Sequence, residues 1–312
     1  MDKVAVLIPC YNEEKTIASV VRDFRAQLPG ADIYVYDNNS TDNTVAEAKK
    51  AEAIIRHEKR QGKGNVIRSM FRQIDADVFL IVDGDGTYPA EKVTTLIKPI
   101  LDSNADMVIG SRLHKASESK FKFLNLIGNR LYLFILKFMF DIPITDLLSG
   151  YRAFNKNIVK SLPILSKGFE IETELTIKCL QRNYRIMEVP VNLSERPEGS
   201  KSKIRLIRDG ILIINTIFAL LRDYKPMKAF GLLGLFLIVC GFAPGIIVIR
   251  EFISTGYILR IPSAILAVGL VLSGLLVSFV GLILHTIARR FQEIDYELLN
   301  IIEKGQQDSP HR

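Results

Sequence analysis

The sequence predicts an α/β fold, a mostly parallel sheet flanked by helices, followed by a C-terminal hairpin of two transmembrane helices. Two observations carry this. Over the first two hundred residues, short apolar runs alternate with segments of helical periodicity, the βαβα order that builds a parallel sheet covered by helices. Further along, Ala229–Ile249 and Ile261–Ala288 contain no Asp, Glu, Lys or Arg. The first of these is 21 residues long, matching the ~20 that a helix needs to cross a bilayer.

The elements follow in order. Val4–Pro9 reads as a first strand, and Glu13–Gln27 as a helix with Ile17, Val20, Val21 and Phe24 on one face. Asp32–Asp37 is the second strand, and Ser40 or Thr41 is placed to cap a helix running through Lys50. Ala53–His57 is the third strand and Gly64–Ile74 the next helix. Val78–Asp83 is a fourth strand, apolar almost throughout, as befits one buried on both faces. Pro89 stands at the first turn of a helix, where its missing N–H costs nothing. Met107–Gly110 is the fifth strand.

Composition narrows the partners. Of 312 residues 48% are hydrophobic, mean hydropathy is +0.18, and the excess lies in the last third. A net charge of +7 favours anionic partners: lipid headgroups, phosphates or nucleic acid. Nucleic acid has only the net charge in its favour, because the basic residues gather beside the apolar spans. Cys10, Cys179 and Cys240 form no CxxC pair and no metal spacing with the histidines, so they read as reduced packing residues. His57, His114, His285 and His311 form no constellation, which argues against a histidine-dependent hydrolase. The opening MDKVAVLIPCYNEE shows neither a basic n-region nor a small-residue cleavage site, so no signal peptide is expected.

Flanking charges orient the hairpin. Arg222, Lys225 and Lys228 precede the first span, Arg289 and Arg290 follow the second, and the connecting loop sets Arg250 and Arg260 against Glu251. Both termini are therefore expected in the cytosol, at the plasma membrane if the source is prokaryotic. Ile204–Leu221 reads as an amphipathic helix, with Arg205, Arg208, Asp209, Asn215 and Thr216 opposite Ile207, Ile211, Ile214, Phe218 and Leu221. It suits either the headgroup plane or a berth on the globular domain. From Asn192 to Lys228, eight Lys/Arg against four Asp/Glu give +4, which suits an anionic membrane surface. The expected domains are 1–203, a cytosolic catalytic domain; 204–228, the interfacial helix and linker; 229–288, two spans at about 229–249 and 262–287; and 289–312, a cytosolic tail that is disordered from Gln306. Gly231, Gly234 and Gly241 in the first span permit close helix packing and a possible homo-oligomer.

Ligands of open α/β sheets bind beyond the carboxyl ends of the strands. Those ends carry Pro9-Cys10-Tyr11-Asn12-Glu13, Asp37-Asn38-Asn39-Ser40, Asp83-Gly84-Asp85-Gly86 and Gly110-Ser111-Arg112. Acidic, amide and basic groups thus share one edge. Asp83 and Asp85, one residue apart after a buried strand, can converge on Mg²⁺ or Mn²⁺, hard ions that share their shell with phosphates. Gly84 and Gly86 let the backbone approach closely. Taken alone, Asp-Gly pairs are ordinary turn formers; the position after the fourth strand is what favours a site. Gln61-Gly62-Lys63-Gly64 lacks the glycine spacing of a dinucleotide loop and reads as a mobile loop beside the strand-end site, with Lys63 near phosphate.

The runs IPCYNEE, YDNNSTDNT, VDGDGTYPAE and GSRL together resemble the family 2 glycosyltransferases, whose fold is GT-A. TDLLSGYRAF at 145–154, GFEIETELTIK at 168–178 and SERPEGSKSK at 194–203 resemble the branch of dolichyl-phosphate mannose synthases and polyprenyl-phosphate glycosyltransferases, in which a two-helix C-terminal anchor also occurs. The similarity covers roughly residues 3–205. It implies inverting transfer of a hexosyl group from a UDP- or GDP-sugar to a polyprenyl phosphate, undecaprenyl or dolichyl, at the cytosolic membrane face, with Mg²⁺ or Mn²⁺.

On the resemblance, Pro9, Tyr11, Glu13, Val35 and Asp37 meet the nucleotide, and Asp83, Gly84 and Asp85 the diphosphate, with Asp83 and Asp85 on the metal. Thr87 stands where mannose synthases often place a metal-holding Gln, and Asn38 replaces a frequent second Asp. Arg112 matches a basic residue that faces phosphate. Arg196, Ser202 and Lys203 match an RxxGxSK element with one extra residue, which leaves Lys201 or Lys203 as the inward lysine. Physical chemistry asks for such cations independently: a lipid phosphate beside an anionic donor is repelled unless Arg, Lys or a metal neutralises it. Arg112, Arg130, Arg196 and Lys203 are the candidates, Arg130 alternatively being a solvated or membrane-facing charge on a helix Asn129–Phe140.

The residues assigned to the chemical step are Asp85, Arg112 and Asp146. Asp146 shapes the acceptor site, holds an arginine or caps a helix. Glu174 matches an acidic family position, while Glu170 and Glu172 read as a solvated helix face. Two other functions compete. A processive polysaccharide synthase is expected to carry a QxxRW motif and more spans, and this chain has no Trp. A silent membrane scaffold has no reason to keep both Asp83 and Asp85.

Overall fold

The computed structural model describes residues 2–112, 144–168, 170–194 and 218–307, together with positions 137, 215 and 216. The chain divides into two compact units, Met1–Ile217 and Phe218–Arg312.

In the first unit the order is β1 (Val4–Cys10), α1 (Ile17–Gln27), β2 (Asp32–Asp37), α2 (Thr44–Lys50), β3 (Ile54–His57), α3 (Lys63–Gln73), β4 (Val78–Ile81), a 3₁₀ turn (Ala90–Lys92), α4 (Val93–Leu101), β5 (Met107–Ser111), β6 (Arg152–Asn155), α5 (Lys156–Ser161), α6 (Ile171–Gln181) and β7 (Ile186–Pro190). The strands form one sheet in the order β3-β2-β1-β4-β6-β5-β7. Only β6 is antiparallel to its neighbours. Two antiparallel steps restore the direction, so β5 and β7 run with β1 to β4. Their carboxyl ends all open on one edge, and β6, running the other way, begins at that same edge.

Both faces are covered, as a parallel sheet requires. Val6, Ile8, Ile33, Val35 and Leu80 pack with Ile17, Val20, Val21 and Phe24 of α1 and Val93 and Leu96 of α4. On the other face Phe71 of α3 meets Phe79 of β4 and Phe154 of β6 edge-on, at centroid distances of 6.3 and 5.7 Å. Each such side chain removed from water contributes about 1.5–3 kcal/mol.

Several boundaries differ from expectation. Helix α1 begins at Ile17 rather than Glu13; residues 13 and 14 are drawn across to the start of α2, where Thr44 Oγ1 and, just before it, Asp42 Oδ2 accept their N–H groups. The cap position of α2 is Asn43, not Ser40 or Thr41. Pro89 precedes the 3₁₀ turn instead of opening an α-helix. Lys63 and Gly64 are the first turn of α3, not a mobile loop.

The second unit comprises α7 (Pro226–Thr255) and α8 (Ile261–Gln307). Both hold segments long and apolar enough to cross a membrane, with mean hydropathies of 2.7 and 2.5. Leu235, Phe236, Leu276 and Phe279 lie exposed on them, an apolar surface ill suited to water. Gly234 and Gly241 are consumed within this hairpin: a Cβ on Gly234 would stand 2.2 Å from Ser278 Oγ, and one on Gly241 2.8 Å from Val271 Cγ2. Gly231 alone of the three faces open space. The polar tail is helical as far as Gln307, since α8 continues past its apolar part.

Candidate active site

At the first two strand ends the loops are stapled together. Cys10 pairs with Asp37 in the β1–β2 register, and the Asn38 N–H donates to Cys10 O at 2.9 Å. Asn12 N–H donates to Ser40 Oγ, and Asn12 Oδ1 accepts from Thr41 N–H. Tyr11 and Glu13 are thereby held beside Asp37, whose Oδ1 accepts from Ser40 N–H at 3.1 Å and whose Oδ2 lies 3.4 Å from His57 Nδ1. Val35 is entirely buried, backbone included, between β1 and β3, so the structure removes it from the residues expected to meet the nucleotide. Asn38 clamps the next loop: its Nδ2 donates to the carbonyls of Glu58 and Arg60, and its Oδ1 accepts from Gly62 N–H at 2.7 Å. An aspartate lacks the two donors, which is a physical reason for the departure at this position.

The end of β4 is packed just as closely. Thr16 Oγ1 donates to Gly84 O at 2.7 Å, and a Cβ on Gly84 would stand 2.8 Å from Cys10 Sγ. Asp85 is nearly buried, and its Oδ1 accepts from both the hydroxyl and the N–H of Thr87, at 2.6 and 3.1 Å. Asp83 meets Lys63 Nζ at 2.5 Å, and the same ammonium reaches Glu172 Oε1 at 2.7 Å. Burial opposes the charge on Lys63, but Asp83 and Glu172 more than offset it and hold its pKa above the ordinary lysine value. On another side of Asp83 lies Gly150, where a Cβ would fall 2.4 Å from Oδ2. Gly150 N–H donates to the buried Tyr88 hydroxyl at 2.9 Å.

Beyond β5, Asp146 is wholly buried and accepts three bonds from Arg112: from N–H and Nε at 2.8 Å and from Nη2 at 2.9 Å. Of the roles open to Asp146, the structure shows the arginine holder. Burial works against the Arg112 charge, and Tyr88, Asp146 and Asp83 together overcome it and raise its pKa. Burial likewise opposes the Asp146 carboxylate, and Arg112 holds it below the usual range. The turn carrying Asp146 is fixed in turn by Glu188 of β7, which accepts the N–H groups of Thr145 and Asp146.

Residues 5–162 match the family described as Glycosyl transferase family 2. The chain belongs to that family. It is 35% identical to glycosyltransferase AglJ of Haloferax volcanii over 75% of this chain and 77% of that protein. It is 28% identical to an undecaprenyl-phosphate mannosyltransferase of Micrococcus luteus over 73% of this chain and 98% of the relative. Among solved structures, glucosyl-3-phosphoglycerate synthase of Mycobacterium tuberculosis, in complex with Mn²⁺, UDP-glucose and phosphoglyceric acid, aligns with a TM-score of 0.60 at 21% identity, over 70% of this chain and 79% of that one. The chain is thus a glycosyltransferase with a GT-A fold.

Within this glycosyltransferase, sequence reasoning misjudged Glu172. It is buried, not part of a solvated face, and it shares Lys63 with Asp83. Glu170, just before α6, accepts the N–H groups of Lys167 and Gly168, and Glu174 those of Leu165 and Ser166, so these two acids organise the segment that precedes the helix. Three acids stand within the five positions 170–174, at the start of a helix whose residues 171–179 are all buried. Arg152, also passed over, is fully buried and donates to Ser149 O, Leu147 O and Thr176 Oγ1, which braces the 145–151 segment. Arg130, Arg196, Ser202, Lys203 and most of the amphipathic helix lie outside the described residues.

The donor set offers a test of fit to a divalent cation. Asp83 and Asp85 are the carboxylates at the end of β4, and among the described residues no cluster of three or more His, Cys, Asp or Glu forms a closed metal site. Mg²⁺-type ions use one or two carboxylates and complete their shell with phosphate oxygens and water. The residues present fit such an ion, held jointly with a diphosphate.

Proposed function

We propose that this glycosyltransferase moves a hexosyl group, with inversion, from a UDP- or GDP-sugar to a polyprenyl phosphate, undecaprenyl or dolichyl, at the cytosolic face of a membrane. The observation that supports it most is the pairing, on one sheet edge, of the Asp83–Asp85 motif with an arginine that a buried aspartate holds in place. The name and near-complete coverage of the undecaprenyl-phosphate mannosyltransferase and the two apolar helices support a lipid acceptor.

In this reading Tyr11, Glu13, Asp37 and the backbone of Pro9 receive the nucleotide. Asp83 and Asp85 hold Mg²⁺ or Mn²⁺, which when bound offsets charge on the diphosphate leaving group. Thr87 keeps the Asp85 carboxylate aimed. Arg112 meets the acceptor phosphate, with Arg130, Arg196, Ser202 and Lys203 assigned to the same anion by resemblance. An acceptor oxygen attacks the anomeric carbon as the bond to the nucleoside diphosphate breaks. The phosphate is already anionic, so no general base is required, and the residues lower the barrier by positioning and charge stabilisation. The two helices anchor the enzyme, with both termini cytosolic.

The test is turnover by the purified protein in detergent, offered radiolabelled UDP- and GDP-sugars, undecaprenyl phosphate and Mg²⁺ or Mn²⁺, beside Asp85→Asn. A metal-dependent glycolipid from one donor, lost in the variant, is the expected result. Nucleotide binding without any glycolipid would point to a different acceptor.

A further inference from the structure

Lys63 stands at the first turn of α3, the helix end whose dipole disfavours a cation. Two carboxylates hold it there: Asp83 Oδ1 at 2.5 Å and Glu172 Oε1 at 2.7 Å. The two differ in surroundings. Glu172 is 7% exposed and Asp83 31%, while the lysine is 9% exposed. The lysine's stem is fixed, because α3 starts against the chain at 166–167. A Cβ on Gly62 would lie 2.1 Å from Lys167 O and one on Gly64 2.3 Å from Ser166 O, and Gly64 N–H donates to Lys167 O at 3.1 Å. Movement is left to the ammonium end, between a carboxylate shut in the interior and one that faces the site.

We propose that Lys63 is a resident counter-ion of Asp83, which a divalent cation must displace before that carboxylate can serve it, with Glu172 retaining the lysine meanwhile. This rests on the reading of Asp83 and Asp85 as the metal pair. A carboxylate at a partly closed strand end is costly without a partner, and Lys63 supplies one until donor and cation arrive. The cation alone therefore competes poorly. Together with a diphosphate it gains further oxygen ligands and prevails, so that cation and donor enter together.

The test is Mn²⁺ binding to the full chain in detergent, read as loss of the free-ion electron paramagnetic resonance signal, without nucleotide and with UDP or GDP. Lys63→Met leaves Glu172 buried without its cation and risks misfolding. The deciding variant is therefore Lys63→Met/Glu172→Gln, which keeps the net charge. Without nucleotide it is expected to bind Mn²⁺ at least about tenfold more tightly than the wild type, the order of effect of one close unit charge. The gain should vanish when Asp83→Asn is added. A smaller gain, or the same gain in the Asp83→Asn background, overturns the proposal while Mn²⁺ binding with nucleotide leaves the metal reading standing. Failure of every protein to bind Mn²⁺, even with UDP and GDP, overturns both.

Discussion

Asp146 gives both carboxylate oxygens to Arg112, in a forked pair closed by a third bond from the arginine's own N–H. The acid is fully buried and the arginine side chain 19% exposed, so the pair presents an oriented cation whose counter-charge lies in the interior. Asp146→Asn should cost about 3 kcal/mol in denaturant unfolding, as breaking buried pairs does. Turnover should fall at least about 100-fold, since the guanidinium loses its aim. Unchanged turnover with lowered stability would show that the pair only holds the fold.

Asn38 makes three bonds to the 58–62 loop, two of them as donor. Asn38→Asp turns a carboxylate towards the carbonyls of Glu58 and Arg60. We expect a loss of about 2 kcal/mol, the scale of unsatisfied buried polar groups, and faster amide exchange at Gly62. Exchange at the wild-type rate would contradict the clamp.

Thr87 donates its hydroxyl to Asp85. Thr87→Val keeps the shape and removes that bond, so stability should change by about 1 kcal/mol or less. The Mn²⁺ concentration for half-maximal activity should rise about tenfold, because the carboxylate is no longer aimed. An unchanged metal requirement would remove Thr87 from the site.

Glu58 is drawn down to about 2, chiefly by the Arg60 guanidinium, against the opposing effect of burial and with help from the Ser69 hydroxyl. A carboxylate depressed on folding stabilises the protein above its unfolded value and loses that contribution as pH falls through the folded one. The stability advantage of the wild type over Glu58→Gln should therefore be complete at neutral pH, shrink below pH ~4.5 and be gone near pH 2. Thermal unfolding of both proteins across that range measures it.

Much of the fold is local and was legible. The run Val78–Ile81 is apolar in every position and became the strand between β1 and β6. Ile17, Val20, Val21 and Phe24 recur at helical spacing and face the sheet. Strand β6 was not legible, because Arg152–Asn155 carries an arginine at the head of a short run and its pairing with β4 and β5 is long-range. The start of α1 shifted from Glu13 to Ile17, and the Glu13 N–H donates across the chain to the Thr44 hydroxyl, a partner that periodicity does not reveal.

The sequence by itself determined the alternation of strands and helices, the two apolar spans, and the cluster of Asp83, Asp85 and Arg112 at strand ends. Periodicity and the rule for parallel sheets are properties of neighbouring residues. Only the tertiary structure decided which charges meet. Lys63 and Glu172 are more than a hundred residues apart in the chain, as is neither Arg112 from Asp146 nor Asn38 from Gly62, yet all three pairs are closed by folding. A buried charge is stable only beside its counter-charge, and which partner it finds depends on the packing of the sheet edge, not on the residues beside it in sequence.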